Sequence, residues 1–242
     1  MFNPTKKAIT SSAFRRTLRR YRIPYNEPPQ HPIKTTAPLR LLYFADESQR
    51  PPLTHALFHA YWVEGKDVSN KTVLLDVVRK ARVSGSHRLI EAIEKGSHEG
   101  ERERKELEMT TDLAVQRGSP GVPAFWIPDE VWIDRHGERK EGRLYWGQDR
   151  MHFVEAVLTA LNEGKDTNSL STISKPLQSL IPRCIPERKI AEGEQVKLEF
   201  WYDFSSPWAF LGWASLARLR RQFGTKLQIE MKPFLLGILF RE

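Results

Sequence analysis

The sequence has almost no cysteine: a single residue, Cys184, stands among 242. One thiol cannot form an intramolecular disulfide, so a small secreted fold held together by disulfide bonds is excluded. Long apolar runs are also missing, because none approaches the roughly 20 residues that a membrane-spanning helix requires. We therefore expect an intracellular protein that has no membrane partner and is long enough to bury one sizeable core.

Acidic residues are nearly absent from the first 30 positions, where seven Lys and Arg residues face one acid, Glu27. The whole chain has a net charge of +8, so only about +2 remains for everything else. Because this basicity is confined to one arm, it does not predict a nucleic-acid partner. An Arg-rich start with an apolar stripe of Phe14, Leu18 and Tyr21 fits a mitochondrial targeting segment. An ordinary amphipathic surface helix has the same pattern, so mitochondrial and cytoplasmic locations both remain open.

Composition changes along the chain predict five regions and an α/β fold class. Helical periodicity with buried faces dominates the second region, and short apolar runs predict strands in the third and fifth. Within the third, we expect strands at 122–127, 131–133 and 143–146, with a polar turn at 134–142. The regions are a basic arm and Pro-rich segment (1–52), a helical subdomain (53–118), a strand-rich part (119–161), a linker (162–195) and a strand–helix–strand (196–242).

The most informative stretch is 198–212, LEFWYDFSSPWAFLG, in which an alternating strand is followed by the start of a helix. Pro207 suits the first helical position, because its φ is fixed and its missing N–H is not needed there. Ser206 is thereby predicted at the N-cap, where free backbone N–H groups and the positive end of the helix dipole favour an anion. Two interpretations stay open: the Ser206 hydroxyl only caps its helix, or it also binds a ligand.

The residues YDFSSPW followed by FLG resemble the first strand and helix of the kappa-class glutathione transferases. They are equally similar to the bacterial 2-hydroxychromene-2-carboxylate isomerases, and both families belong to the DsbA-like branch of the thioredoxin fold. In that branch, redox enzymes have the first cysteine of Cys-x-x-Cys at the position of Ser206, and glutathione enzymes have serine. Because Ser206 and Ala209 occupy the two cysteine positions, thiol–disulfide exchange by these side chains is excluded. The resemblance implies a thioredoxin-like sheet of DsbA/kappa type with an inserted all-helical subdomain.

The motifs stand in a permuted order. Segments 58–70, 111–125 and 145–151 resemble the middle and C-terminal motifs of the same family, yet they precede residues 198–212. In one interpretation the chain is a circular permutant, whose linker joins the old ends and whose strand 198–202 pairs with 122–127. In the other it is a fragment of a tandem protein, with the tail of one copy and the head of the next. We favour the intramolecular pairing, because an unpaired central strand leaves backbone groups unsatisfied.

The resemblance implies a glutathione site assembled from several segments. The peptide bond between Val122 and Pro123 is expected to be cis, which exposes a backbone edge for the cysteinyl part of glutathione. Gln148 and Asp149 would bind the γ-glutamyl end, and Lys6 the glycyl carboxylate. Simple helix capping by Asp149 and a solvated surface role for Lys6 are the alternatives.

The catalytic residue in this interpretation is Ser206, whose hydroxyl would donate a hydrogen bond to the glutathione thiolate and lower the thiol pKa. Phe204, Trp208 and Phe210 would form the apolar wall for a second substrate. The sequence thus predicts a glutathione-dependent transferase or isomerase, with glutathione as co-substrate, a small hydrophobic electrophile and no metal. Dimers are common in the family, so a homodimer is expected by analogy. The alternative is a catalytically inactive thioredoxin-like scaffold or tandem fragment.

Overall fold

A computed structural model describes residues 4–167 and 191–235. The chain divides into two compact units, Met1–Pro182 and Arg183–Glu242. No helix in these two described ranges is long and apolar enough to cross a lipid bilayer. The helices of the first unit are α1 (Pro4–Tyr21), α2 (Thr36–Phe44), α3 (Arg50–Trp62), α4 (Lys71–Ala81), α5 (Ser86–Lys95), α6 (Glu101–Gln116) and α7 (Met151–Asn162), and its strands are β1 (Ala124–Ile133) and β2 (Arg139–Trp146). The second unit contains β3 (Val196–Tyr202), α8 (Pro207–Phe223) and β4 (Leu227–Pro233).

The predicted helical region of the first unit forms around its own apolar core. Asn70 caps α4 as its position before the apolar face predicts, since its Oδ1 accepts the N–H of Thr72 at 2.9 Å. Fully buried leucines from successive helices, including Leu53 and Leu74, fill the centre. Leu41 from α2 joins the same cluster, so the helical core recruits side chains that precede residue 53.

The hairpin of β1 and β2 corrects two boundaries expected from the sequence. β1 is one strand from 124 to 133 rather than two, with a shift in register between Ile127 and Val131. The turn is shorter than predicted, because β2 already begins at Arg139. The Asp134 carboxylate closes this turn by accepting the N–H groups of His136 and Glu138, at 2.8 and 3.0 Å. The polar residues at the start of β2 pair with β1 in an antiparallel ladder. Because they are polar, the sequence pattern predicts a turn there and not a strand.

A second, smaller core lies between this hairpin and α7. Ile127 of β1 and Val157 of α7 are buried there. On β2, Gly142 has a φ of +73°, and a Cβ at this position would lie 2.1 Å from the Cζ2 atom of Trp126. Glycine is therefore required at 142 for two reasons: the backbone is left-handed, and the indole ring leaves no room for a Cβ.

The second unit is a strand–helix–strand, as the sequence predicts. β3 and β4 pair in parallel from Val196 opposite Leu227 to Tyr202 opposite Pro233, and α8 connects them. Gly212 allows α8 to pack closely on β3, because a Cβ there would lie 3.1 Å from the Phe200 ring. Most of the predicted linker (168–190, with Cys184) and residues 236–242 lie outside the described residues. The expected pairing of 198–202 with 122–127 stays a prediction.

Candidate active site

Ser206 sits where the sequence predicts it, at the N-cap of α8. Its backbone is extended, with φ −93° and ψ 113°, and Pro207 follows at the first helical position. The Ser206 Oγ accepts the N–H of Ala209 at 3.2 Å. This bond uses a lone pair of the hydroxyl and leaves its proton available as a donor, since a serine side chain both donates and accepts. The capping prediction is confirmed, and the geometry keeps a second role open.

The turn before α8 is fixed by Asp203. Its Oδ1 accepts both the N–H and the hydroxyl of Ser205, at 2.9 and 2.8 Å, and its carbonyl accepts the N–H of Ser206 at 3.1 Å. The two adjacent serines are therefore not equivalent. The Ser205 hydroxyl donates its proton to Asp203, whereas the Ser206 hydroxyl faces the start of the helix.

An apolar pocket of about 360 Å³ adjoins Ser206. Phe204 and Phe210, two of the three predicted wall residues, line it, and they are 94% and 63% exposed. Trp208 is 69% exposed but does not line the pocket. The remaining walls come from side chains that the sequence argument did not assign, namely Phe200, Tyr202, Asp203, Ala209, Trp213 and Met231. Two of them, Phe200 and Tyr202, could have been predicted from the alternation of the strand, because residues two apart share a sheet face.

The predicted cis-proline is confirmed, because the peptide bond between Val122 and Pro123 is cis. The side chain of Val122 is 91% exposed. The carbonyl of Pro123 accepts the N–H of Gly147 at 2.9 Å, immediately beyond the pair formed by Ala124 and Trp146. This bond joins the cis-proline segment to the segment that begins at Gly147, so two of the predicted glutathione-binding segments lie side by side at one end of the hairpin.

The role of Asp149 as a helix N-cap, one of the two alternatives, is wrong. Gln148–Arg150 forms a 3₁₀ turn, α7 begins at Met151, and the N-cap position is held by Arg150 without a side-chain cap bond. The Asp149 carboxylate instead pairs with the Arg150 guanidinium at 2.5 Å and is 61% exposed. The paired carboxylate therefore stays at the surface. Gln148 lies in the same turn, directly after Gly147.

Lys6 lies in the first turn of α1, with an exposed side chain. It belongs to the first unit, together with Val122, Pro123 and Asp149. Its assignment to the glycyl carboxylate stays a prediction.

A buried acid that the sequence does not reveal lies at the register shift of β1. Glu130 is 1% exposed, and both of its carboxylate oxygens accept hydrogen bonds from the Tyr145 hydroxyl, at 2.9 and 3.0 Å. The Arg143 guanidinium lies 3.4 Å from the same carboxylate. Burial and the nearby carboxylate raise the pKa of Tyr145 well above its usual range, so the phenol stays protonated and donating. No pattern in the sequence distinguishes Glu130 from a surface acid.

The two histidines of α3, His55 and His59, lie one helical turn apart. Within the described part of the chain, no group of three or more His, Cys, Asp or Glu side chains could hold a metal ion. His59 has an acidic neighbour, because its Nδ1 lies 3.3 Å from a Glu64 carboxylate oxygen. The i, i+4 spacing of His55 and His59 in the sequence does not reveal this contact.

Comparison with known families gives a match to the first unit. The family model described as DSBA-like thioredoxin domain matches residues 2–159. The matched part contains Lys6, Val122, Pro123, Gln148 and Asp149, and it ends before the strand–helix–strand that carries Ser206. No curated protein matches the chain.

Proposed function

From the premise that this chain belongs to the DSBA-like thioredoxin domain family, we propose that it is a glutathione-dependent transferase or isomerase. The family is thiol–disulfide oxidoreductase-like, but Ser206 and Ala209 bring no sulfur to the start of α8. In this proposal, the thiol that acts there arrives with a ligand. Glutathione supplies one as co-substrate, and a small hydrophobic electrophile is the proposed second substrate.

One observation carries the proposal: the Ser206 Oγ accepts the Ala209 N–H and also lines an apolar pocket. A free thiol has a pKa near 8.5, so only a small fraction is thiolate at neutral pH. A hydrogen bond from the Ser206 hydroxyl and the positive end of the 17-residue helix α8 both favour the thiolate and lower that pKa. The aromatic walls of the pocket, Phe204 and Phe210 among them, suit an apolar electrophile.

The chemical step is a nucleophilic attack by the glutathione sulfur. In conjugation, the thiolate forms a carbon–sulfur bond and the leaving group departs with the electron pair of the bond that breaks. In isomerisation, the thiolate adds to a conjugated double bond, rotation follows, and elimination regenerates the thiolate. In both reactions the Ser206 hydroxyl stabilises the thiolate and gives up no proton in net terms.

The binding part of the proposal places glutathione against the first unit's hairpin end. The edge at Val122 and Pro123 would pair with the cysteinyl backbone, as a short added strand does. Gln148 and Asp149 would receive the γ-glutamyl end, with the ammonium replacing Arg150 at the Asp149 carboxylate. Lys6 would pair with the glycyl carboxylate. A homodimer and a mitochondrial or cytoplasmic location belong to the same proposal, and neither nucleic acid nor membrane is a proposed partner.

The test is conjugation of glutathione to 1-chloro-2,4-dinitrobenzene, followed by absorbance. A hydrogen bond to a charged group contributes about 1.5–3 kcal/mol, so Ser206→Ala should lower the rate by about 10- to 100-fold. Ser205→Ala is the matched control, because its hydroxyl donates to Asp203 and does not line the pocket. Full activity in Ser206→Ala would reject the proposed role of the hydroxyl.

A catalytically inactive scaffold is the second candidate, and the Asp149–Arg150 pair favours it. The carboxylate expected to hold the γ-glutamyl ammonium already has a cationic partner. Glutathione binding separates the two candidates: a ligand at ten times its Kd stabilises the folded state by about 1.4 kcal/mol. A melting temperature that does not change at saturating millimolar glutathione supports the scaffold.

A further inference from the structure

A second cavity lies in the first unit, away from every residue assigned to glutathione. It has a volume of about 870 Å³ and runs between the C-terminal part of α1 and one face of α3. We call it the groove, and it is lined by Phe14, Leu18, Ile23, Pro24, Tyr25 and, from α3, His55, Ala56, Phe58, His59, Trp62 and Val63. The volume is within the range of small-molecule sites, about 300–1,000 Å³.

One wall of the groove consists of aromatic rings packed against one another. The Tyr25 ring packs edge-on against Phe14 with a centroid distance of 5.1 Å and stacks on Trp62 at 5.8 Å. The backbone next to Tyr25 is tied to α3, because the N–H of Asn26 donates to the Trp62 carbonyl at 2.7 Å. Phe58, which also lines the groove, is 61% exposed, so the groove is accessible from solvent. A preformed concave apolar surface of this kind fits the body of an apolar ligand better than it fits a flat bilayer.

One end of the groove is strongly basic. A smaller cavity of about 420 Å³ shares Leu18, Ile23 and Tyr25 with the groove and is otherwise lined by Arg15, Arg19 and Arg22. Within the described residues, none of these three arginines forms an ion pair. Three arginines line this smaller cavity, and guanidinium geometry matches carboxylate and phosphate oxygens, so this end of the groove is suited to an anion. The Glu27 carboxylate also acts electrostatically on Tyr25, which lines both cavities.

Arg22 occupies an unusual backbone position at this basic end. It follows α1 with a φ of +53°, and its N–H donates to the Arg19 carbonyl at 3.2 Å while the Ile23 N–H donates to the Leu18 carbonyl at 2.9 Å. This pair of bonds is the Schellman motif, in which glycine is the usual residue at the left-handed position. An arginine here is unfavourable for the turn and brings a third positive charge to the basic end.

From this arrangement we propose that the groove binds a single-chain anionic amphiphile, with its acyl tail along the aromatic wall and its carboxylate at Arg15, Arg19 and Arg22. The charges are gathered at one end, which suits one head group. An acidic partner helix would instead require basic residues along the full length of the groove. The site is independent of the proposed function, because none of its residues is assigned to glutathione or Ser206.

The test is calorimetric titration of the full chain with decanoate below its micelle concentration. Decanoate should bind, whereas acetate, which lacks the tail, and decyltrimethylammonium, which reverses the charge, should not. Arg15→Gln and Arg19→Gln should each weaken decanoate binding by about two- to fivefold, the upper part of the range for one exposed charge contact. Arg16→Gln is the matched control, because it removes the same charge from α1 at a residue that lines neither cavity.

Arg22→Gly separates binding from folding. Glycine relieves the left-handed backbone, so the melting temperature should stay equal or rise while decanoate binding weakens. Equal loss of binding in Arg16→Gln and Arg15→Gln would overturn the proposal, since only the net charge would then matter. Binding to phosphatidylglycerol vesicles without binding to monomeric decanoate would overturn it in favour of a membrane surface.

Discussion

Replacing Ser206 by aspartate separates the capping role of this residue from its proposed role in catalysis. Aspartate caps helices about as well as serine does, because its carboxylate accepts the same backbone N–H. At Ser206 that donor is Ala209, at 3.2 Å. An ionised carboxylate, however, has no proton to donate to a thiolate. Ser206→Asp therefore keeps the helix start, removes the hydrogen-bond donor and adds a negative charge.

The expected changes in stability, thiol pKa and rate follow from this geometry. A negative charge at the N-terminus of α8 interacts favourably with the helix dipole by about 0.3–1 kcal/mol, so the free energy of unfolding should stay the same or rise slightly. The thiolate loses a hydrogen bond contributing about 1.5–3 kcal/mol. It also gains a like charge nearby, which costs about 1 kcal/mol at 4 Å even in water. The pKa of bound glutathione should therefore rise by about two, with a fall in rate of about 100-fold or more.

Three measurements on the full chain test this prediction. Urea unfolding reports the stability of Ser206→Asp, the ultraviolet absorbance of the thiolate against pH reports the pKa of bound glutathione, and conjugation reports the rate. We expect unchanged stability, a higher thiol pKa and a much lower rate. Ser206→Asp with activity within threefold of the original chain would refute the reasoning, and Ser206 would then be a cap alone.

Two further predictions concern the fold. Gly142→Ala should lower the free energy of unfolding by about 3 kcal/mol or more, because the methyl group meets an indole ring and the backbone is left-handed. Gly137→Ala, also at positive φ but with no atom within 4 Å of its Cβ, should cost only about 1 kcal/mol in the same urea titration, and equal losses would contradict the steric argument. Two lysine partners lower the pKa of Glu230 from its ordinary value of 4.5 to about 2, so the paired strands of the second unit should lose stability as pH falls from about 5 towards 2. Hydrogen exchange of the strand amides measures this, and Glu230→Gln should abolish the pH dependence; a variant with the same dependence would contradict the assignment.

Local signals in the sequence were sufficient for much of the candidate site. Pro207 after two serines predicts the helix start, and the cap at Ser206 has the predicted geometry. The resemblance supplied the cis bond before Pro123, which spacing alone does not favour. Asp149 shows the limit of such signals: a residue acceptable as a cap pairs with Arg150 instead, because α7 starts one residue later than a cap at Asp149 predicts.

By itself, the sequence determined the helical subdomain, the helix start at Ser206 and Pro207, the absence of a dithiol at Ser206 and Ala209, and the uneven charge of the first 30 residues. These are local properties, set by residue type and by spacing along the chain. Only the tertiary structure decided that Glu130 is buried under the Tyr145 hydroxyl and that the basic end of α1 adjoins an aromatic groove. Such features depend on which side chains meet after distant segments pack together, and burial and charge convergence arise only from that packing.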